Sequence, residues 1–172
     1  MNRLNTLTLT TIALLFLAVA LPSGEALSQQ KTLKEQVVGT WTSVSNDTVR
    51  PDGSRVPNYG PNPQGLAIFD SNGHYILLVA RAGVPKFASG SRTESTPEEN
   101  KAVVQGSIAH FGKYTIDEAD KTITFHIETS TFPNWNGTVQ KRPFTVMEDE
   151  LKWTTPSSGG GGSAEVVMHR SK

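Results

Sequence analysis

The 172-residue chain contains no cysteine. That excludes a disulfide framework, a thiolate metal site, a catalytic thiol and a lipid anchor on an N-terminal cysteine. Charge of one sign is also missing, because sixteen lysines and arginines balance sixteen acids. Phosphate binding needs a clustered positive excess, so no nucleic-acid partner is expected, nor is docking on an anionic membrane surface. There is no Gly-x-Ser-x-Gly elbow and no His-Glu-x-x-His pair. The glycines near Gly159–Gly162 lack the lysine of a phosphate loop, so Ser157–Gly162 reads as a flexible Ser/Gly loop. The four histidines, His74, His110, His126 and His169, are scattered. His110 and His126 make a possible pair on adjacent strands but have no evident third ligand, so no metal and no cofactor is expected.

Long hydrophobic runs are scarce as well. The apolar run Ile12–Leu21 falls short of the about 20 residues that a permanent membrane span needs. Arg3 precedes it, Pro22-Ser23-Gly24 breaks it, and Ala26-Leu27-Ser28 offers small residues for cleavage before Gln29. Residues 1–28 therefore read as a cleavable secretory signal and 29–172 as one mature domain, exported to the periplasm or secreted. An uncleaved membrane anchor is the alternative.

Alternation of apolar and polar residues dominates the mature chain. After a short helix in Lys31–Val38, strands are expected over Thr40–Thr48, Gln64–Phe69, His74–Arg81, Ser107–Ile116, Lys121–Thr129, Thr138–Met147, Leu151–Thr154 and Ser163–Arg170. Asp70-Ser71-Asn72-Gly73 marks a tight hairpin, since Asn and Gly accept positive φ. The proline-rich Arg50–Pro63 reads as a loop, and Phe132–Gly137 as a wide turn. Thr96-Pro97-Glu98-Glu99 combines an N-cap, a proline at the first helical position and a capping-box acid, which predicts a flap helix over Pro97–Gln105. Eight sequential antiparallel strands without a βαβ unit favour an all-β fold, an eight-stranded up-and-down antiparallel barrel, because closure removes the exposed edges. An open sandwich is the structural alternative.

Gly39-Thr40-Trp41, at the first strand after a short helix, resembles the opening of the lipocalins and the wider calycin group. Four longer blocks, Tyr59–Gly65, Val84–Ala88, Thr96–Lys101 and Ser130–Trp135, come one after another as in the bacterial lipocalin-like domain family, over nearly all of residues 29–172. The resemblance implies a calycin-type β-barrel and no settled activity. It also implies that Trp41 plugs one barrel end and that a late arginine, here Arg170, covers its indole face. The disulfide usual in lipocalins is impossible in this chain.

A barrel of eight strands has room for packed side chains or one small ligand. Inward polar groups would select that ligand, and Arg81, His110, Tyr114, His126, Trp135 and Arg142 are the candidates. Arginines beside His and Tyr suit a carboxylate or another anionic head, with an apolar body against Phe111, Phe125 or Ile127. Parity alone does not tell the inner face from the outer one, and His126 shares its parity with Thr122, Thr124 and Glu128. The expected function is an exported protein that binds a small, partly apolar ligand inside its barrel. The alternatives are a barrel enzyme of isomerase or cyclase type using His126 or Tyr114, and a non-enzymatic interaction protein using the flap or the Arg50–Pro63 loop.

Overall fold

The computed structural model describes residues 31–156 and 163–172. The signal segment expected over residues 1–28 and the loop expected over residues 157–162 lie outside the described residues. Helix α1 spans Leu33–Val37, capped by a reciprocal Thr32–Glu35 box. The strands are β1 (Gly39–Val49), β2 (Arg55–Pro57), β3 (Gln64–Phe69), β4 (His74–Ala80), β5 (Ser107–Asp117), β6 (Thr122–Ser130), β7 (Val139–Met147), β8 (Glu150–Thr155) and β9 (Ser163–Arg170). Helix α2 spans Pro97–Gly106 between β4 and β5, again behind a capping box, Thr96 with Glu99.

Consecutive strands pair antiparallel from β3 to β9, and β1 bridges β3 and β9. That pairing closes β1 and β3 to β9 into an eight-stranded barrel. One segment departs from the sequence expectation. Inside the Arg50–Pro63 loop, Arg55–Pro57 pairs with Val49–Asp47 as an extra short rung, the strand β2. Prolines 51 and 57 flank a stretch with only Val56 apolar, so neither propensity nor period marks it.

Side chains alternate in and out along each strand. Trp41, Phe69, Tyr75, Phe125, Leu151, Trp153 and Met168 fill the interior. The closed end is built at Trp41. Its indole N–H donates to the Val37 carbonyl at 2.8 Å. The Arg170 guanidinium lies 4.1 Å from the indole ring centroid and donates to the carbonyls of Gln36 at 2.6 Å and Val38 at 3.1 Å. The Glu118 carboxylate, from the β5–β6 turn, accepts from the backbone N–H groups of Leu33 and Lys34 and fastens α1 across that end.

A bulge at Phe111/Gly112 shifts the β5–β6 register. A Cβ at Gly112 would stand 2.1 Å from the His126 carbonyl oxygen, so only glycine lets the two backbones approach this closely. Gly112 is the direct partner of Tyr75 on β4, and the bulge lies two residues beyond His110.

Candidate functional site

The other end of the barrel is hollow. A cavity of about 630 Å³ lies between the far ends of β1, β4, β5, β7, β8 and β9, within the usual size for small-molecule sites. Its rim includes Tyr59, Phe132 and Gln105 from the last turn of α2. Leu77, Ile108 and Val166 give it apolar walls. Asn46, Thr48, Asn58, Gln105 and Thr155 add neutral polar groups, and three of the residues expected from sequence join them: His110 on β5, Trp135 after β6 and Arg142 on β7.

Arg142 is at an inward position of β7, in phase with Phe144 and Val146. Only 3% of it is exposed. Its guanidinium carbon lies 4.7 Å from the Phe125 ring centroid and 5.9 Å from that of Trp135, a cation held between aromatic rings. Nη2 donates to the Gln140 side-chain carbonyl. Nε is buried and has no hydrogen-bond partner. Among the described residues no salt bridge involves Arg142. Burial lowers its pKa to about 10, so the side chain stays cationic at neutral pH.

His110 faces Leu77 across the β4–β5 ladder and is 3% exposed. Its Nδ1 is 2.8 Å from the Tyr75 hydroxyl. Burial, and secondly the Arg142 charge, push the imidazole down to about 3, so it is neutral across the physiological range. Burial pushes the Tyr75 phenol well above its ordinary range. The pair is thus a neutral hydrogen-bonded unit beside a fixed positive charge.

Trp135 is carried by a short 3-10 turn, Pro133–Trp135. The Ser130 N–H donates to Asn136 Oδ1 at 2.7 Å, and Thr138 Oγ1 donates to the Trp135 carbonyl at 2.7 Å. These bonds hook the turn over the lumen. The Trp135 ring meets His110 edge-on at 5.6 Å and Phe132 at 5.8 Å.

The structure therefore brings together His110, Trp135 and Arg142 and leaves three other candidates apart. Arg81 is exposed one residue beyond the end of β4, and its Nη2 reaches the Asn58 carbonyl at 3.4 Å. The strand stops at Ala80, so the inward phase of Tyr75, Leu77 and Val79 is not carried on to residue 81. Tyr114 does point inward but lies toward the closed end, where its hydroxyl donates to the Asp70 carbonyl at 2.7 Å. Four residues along a strand separate it from His110 by about 13 Å. His126 is exposed on the outer face, because Phe125 and Ile127 take the inner one. Phe111 is likewise outside, 44% exposed, whereas Phe125 and Ile127 are buried within. Tyr75, Gln140, Tyr59 and Phe132 belong to the site or its support and were not among the sequence candidates. The inward phase of Tyr75 with Leu77 and Val79 is the signal that marks it.

Comparison with known proteins adds three findings. A curated protein from Aspergillus oryzae, named 4'-hydroxy-3'-methoxypropiophenone carrier protein, is 28% identical over 83 residues, spanning 45% of this chain and 75% of that protein. A solved redesigned β-barrel aligns with 84% of this chain and all of its own, at 16% identity and a TM-score of 0.43. The family model described as lipocalin-like domain matches residues 38–169, from the strand that carries Trp41 to the one that ends at Arg170. The chain belongs to the lipocalin-like domain family.

Proposed function

We propose that this protein is an exported carrier that holds one small, partly apolar molecule inside its barrel, with an oxygen-bearing head against Arg142. The observation that carries this reading is the cavity of about 630 Å³ lined by Arg142, a buried cation that among the described residues pairs with no carboxylate. A buried polar donor without a partner costs about 1–3 kcal/mol. A ligand oxygen at Nη1 supplies the charged group with an acceptor that the described residues do not. The aromatic rim of Tyr59, Phe132 and Trp135 suits a flat ring.

The fungal relative's name supports the same reading, since it is called a carrier of an aromatic ketone. The two residues named from sequence for isomerase or cyclase chemistry, His126 and Tyr114, do not line the cavity. Export is supported by the positively charged start, the short apolar run and the small residues before Gln29.

Fluorescence titration tests the carrier reading. 4'-Hydroxy-3'-methoxypropiophenone added to the purified protein is expected to quench Trp135 emission saturably, and Trp135→Phe to abolish most of the change. Native mass spectrometry should show a one-to-one complex. Absence of saturable binding by this compound and by a panel of small aromatic acids and ketones would refute it. N-terminal sequencing of protein recovered from outside the cytoplasm should begin at Gln29; intact Met1 would refute export by cleavage.

A further inference from the structure

Arg142 defines more than a polar spot in the lumen. We propose that the pocket takes its ligand as an anion whose charge sits on one oxygen, the conjugate base of an acidic phenol or enol, and that Arg142 is the residue that selects the ionised form. This rests on the lumen being the binding site.

The first support is the unbalanced charge. Arg142 is almost wholly buried, and among the described residues it pairs with no carboxylate. The ionisable groups that face it are few. Tyr75 from β4 and His110 from β5 are both neutral at physiological pH. Glu128, the acid of β6 that is felt at Tyr75, is exposed on the outer face. The cavity residues contributed by β1, β8 and β9 are Asn46, Thr48, Thr155, Ala164 and Val166, and none carries charge. A neutral guest would leave this cation uncompensated, whereas an anion balances it in a low-dielectric site.

The second support is the shape of the donor set. A carboxylate is best held by two parallel N–H bonds from one edge of a guanidinium. Gln140 already engages Nη2, Nε is buried out of reach of the lumen, and among the described residues Nη1 donates to no acceptor. Nη1 is thus the guanidinium nitrogen left for a guest, which matches one oxygen. His110 can supply a second. When the Tyr75 hydroxyl donates to Nδ1, the single proton of the neutral ring sits on Nε2. Phe132, Trp135 and Leu77 leave an apolar wall for the ring that bears the oxygen.

The proton balance is simple. The ligand O–H bond breaks, the oxygen keeps the electron pair, and the proton leaves to bulk water. Arg142 is already protonated, and His110 is too weak a base to take the proton.

Absorbance titration of two probes decides the matter. 4'-Hydroxy-3'-methoxypropiophenone carries a phenol conjugated to its ketone, so its phenolate absorbs at longer wavelength than the phenol. 3',4'-Dimethoxypropiophenone has nearly the same shape and cannot ionise. With the full chain in excess, the bound phenol is expected to ionise about 1–3 pH units lower than the free compound. The dimethoxy probe should bind at least about tenfold more weakly, equivalent to 1.4 kcal/mol. Arg142→Gln should remove both differences, while Arg142→Lys should keep part of the spectral shift. Saturable binding of the phenol without a lowered ionisation, or equal binding of the two probes, overturns the inference and leaves the carrier reading intact. Failure of both probes to bind overturns this inference and the carrier reading for aryl ketones together. The comparison of the two probes on the unaltered protein stands even if Arg142→Gln fails to fold.

Discussion

The two ends of the barrel each place an arginine over an aromatic ring, and the two arginines differ in what their N–H groups meet. At the closed end Arg170 covers Trp41, and Nη1 and Nη2 donate to the carbonyls of Val38 and Gln36. At the hollow end Arg142 lies over Phe125, Nη2 meets Gln140, and Nε meets nothing. One cation is spent on joining α1 and β9 through a plug. The other is left unsatisfied in a cavity. The same interaction type is thus structural where backbone carbonyls answer it, and the proposed binding role falls on the arginine that they do not answer. A cation–π contact alone does not tell the two apart; counting acceptors does.

Substitutions at the closed end should break this contrast on the stability side. Trp41→Ala removes a fully buried indole and is expected to cost about 3–5 kcal/mol in urea melts. In the fraction that remains folded, ligand titration of the lumen should be unchanged. A parallel loss of binding would mean that the two ends are coupled and the contrast is false.

Acid should weaken the protein through the hollow end. His110 is neutral in the fold down to about pH 3, while an unfolded histidine takes up a proton near 6.5. Unfolding therefore binds a proton between these values, and stability falls as pH falls. The contribution is complete above pH 6.5 and declines by up to about 1.4 kcal/mol for each pH unit below it. Urea melts at pH 7, 6 and 5 read this slope before the carboxylates titrate. His110→Gln should flatten it; an unchanged slope would show that His110 is not held neutral.

Arg170→Met ranks next in size. It keeps bulk over Trp41 but removes the donors to the Gln36 and Val38 carbonyls, at a cost of about 2 kcal/mol by the usual worth of hydrogen bonds to a charged group. Equal stability in thermal melts would mean that water replaces those donors without loss.

Much of the frame was legible in the chain, and the reasons are local. The Asp70–Gly73 turn shows itself because Gly73 has φ of 91° and the Asp70 side chain caps His74. Helix α2 shows itself because Thr96 and Glu99 cap each other within three residues. Arg142 falls in phase with Phe144 and Val146, so its inward direction comes from period two. The site was less legible because period two carries no information about height along the barrel. His110 and Tyr114 share a phase, yet one lines the cavity and the other binds the Asp70 carbonyl near the closed end. Strands β3 and β4 hide their faces altogether. Leu66, Ile68, Ile76 and Leu78 are apolar on the outside, while Ala67, Phe69, Tyr75 and Leu77 are apolar on the inside. Trp135 depends on side-chain bonds from Asn136 and Thr138 that shape a turn, and no strand period reaches it.

The sharpest form of the contrast is the matched substitution Arg142→Met. At the closed end the same change leaves carbonyls unanswered; here it removes a desolvated cation whose Nε has no acceptor. Burial lowers the Arg142 pKa to about 10, against a smaller opposing contribution from Tyr75, so the fold disfavours the charge it carries. Only the Gln140 side chain loses a partner, and it is partly exposed and has water within reach. Methionine fills a similar volume between Phe125 and Trp135 and keeps favourable contact with both rings. The ligand-free protein is therefore expected to gain about 1 kcal/mol in urea melts, while affinity for the phenolic probe falls by tenfold or more. A gain in stability coupled to a loss of binding is what a site kept for a ligand predicts. A loss of stability like that of Arg170→Met would make Arg142 a second structural arginine and erase the difference between the two ends.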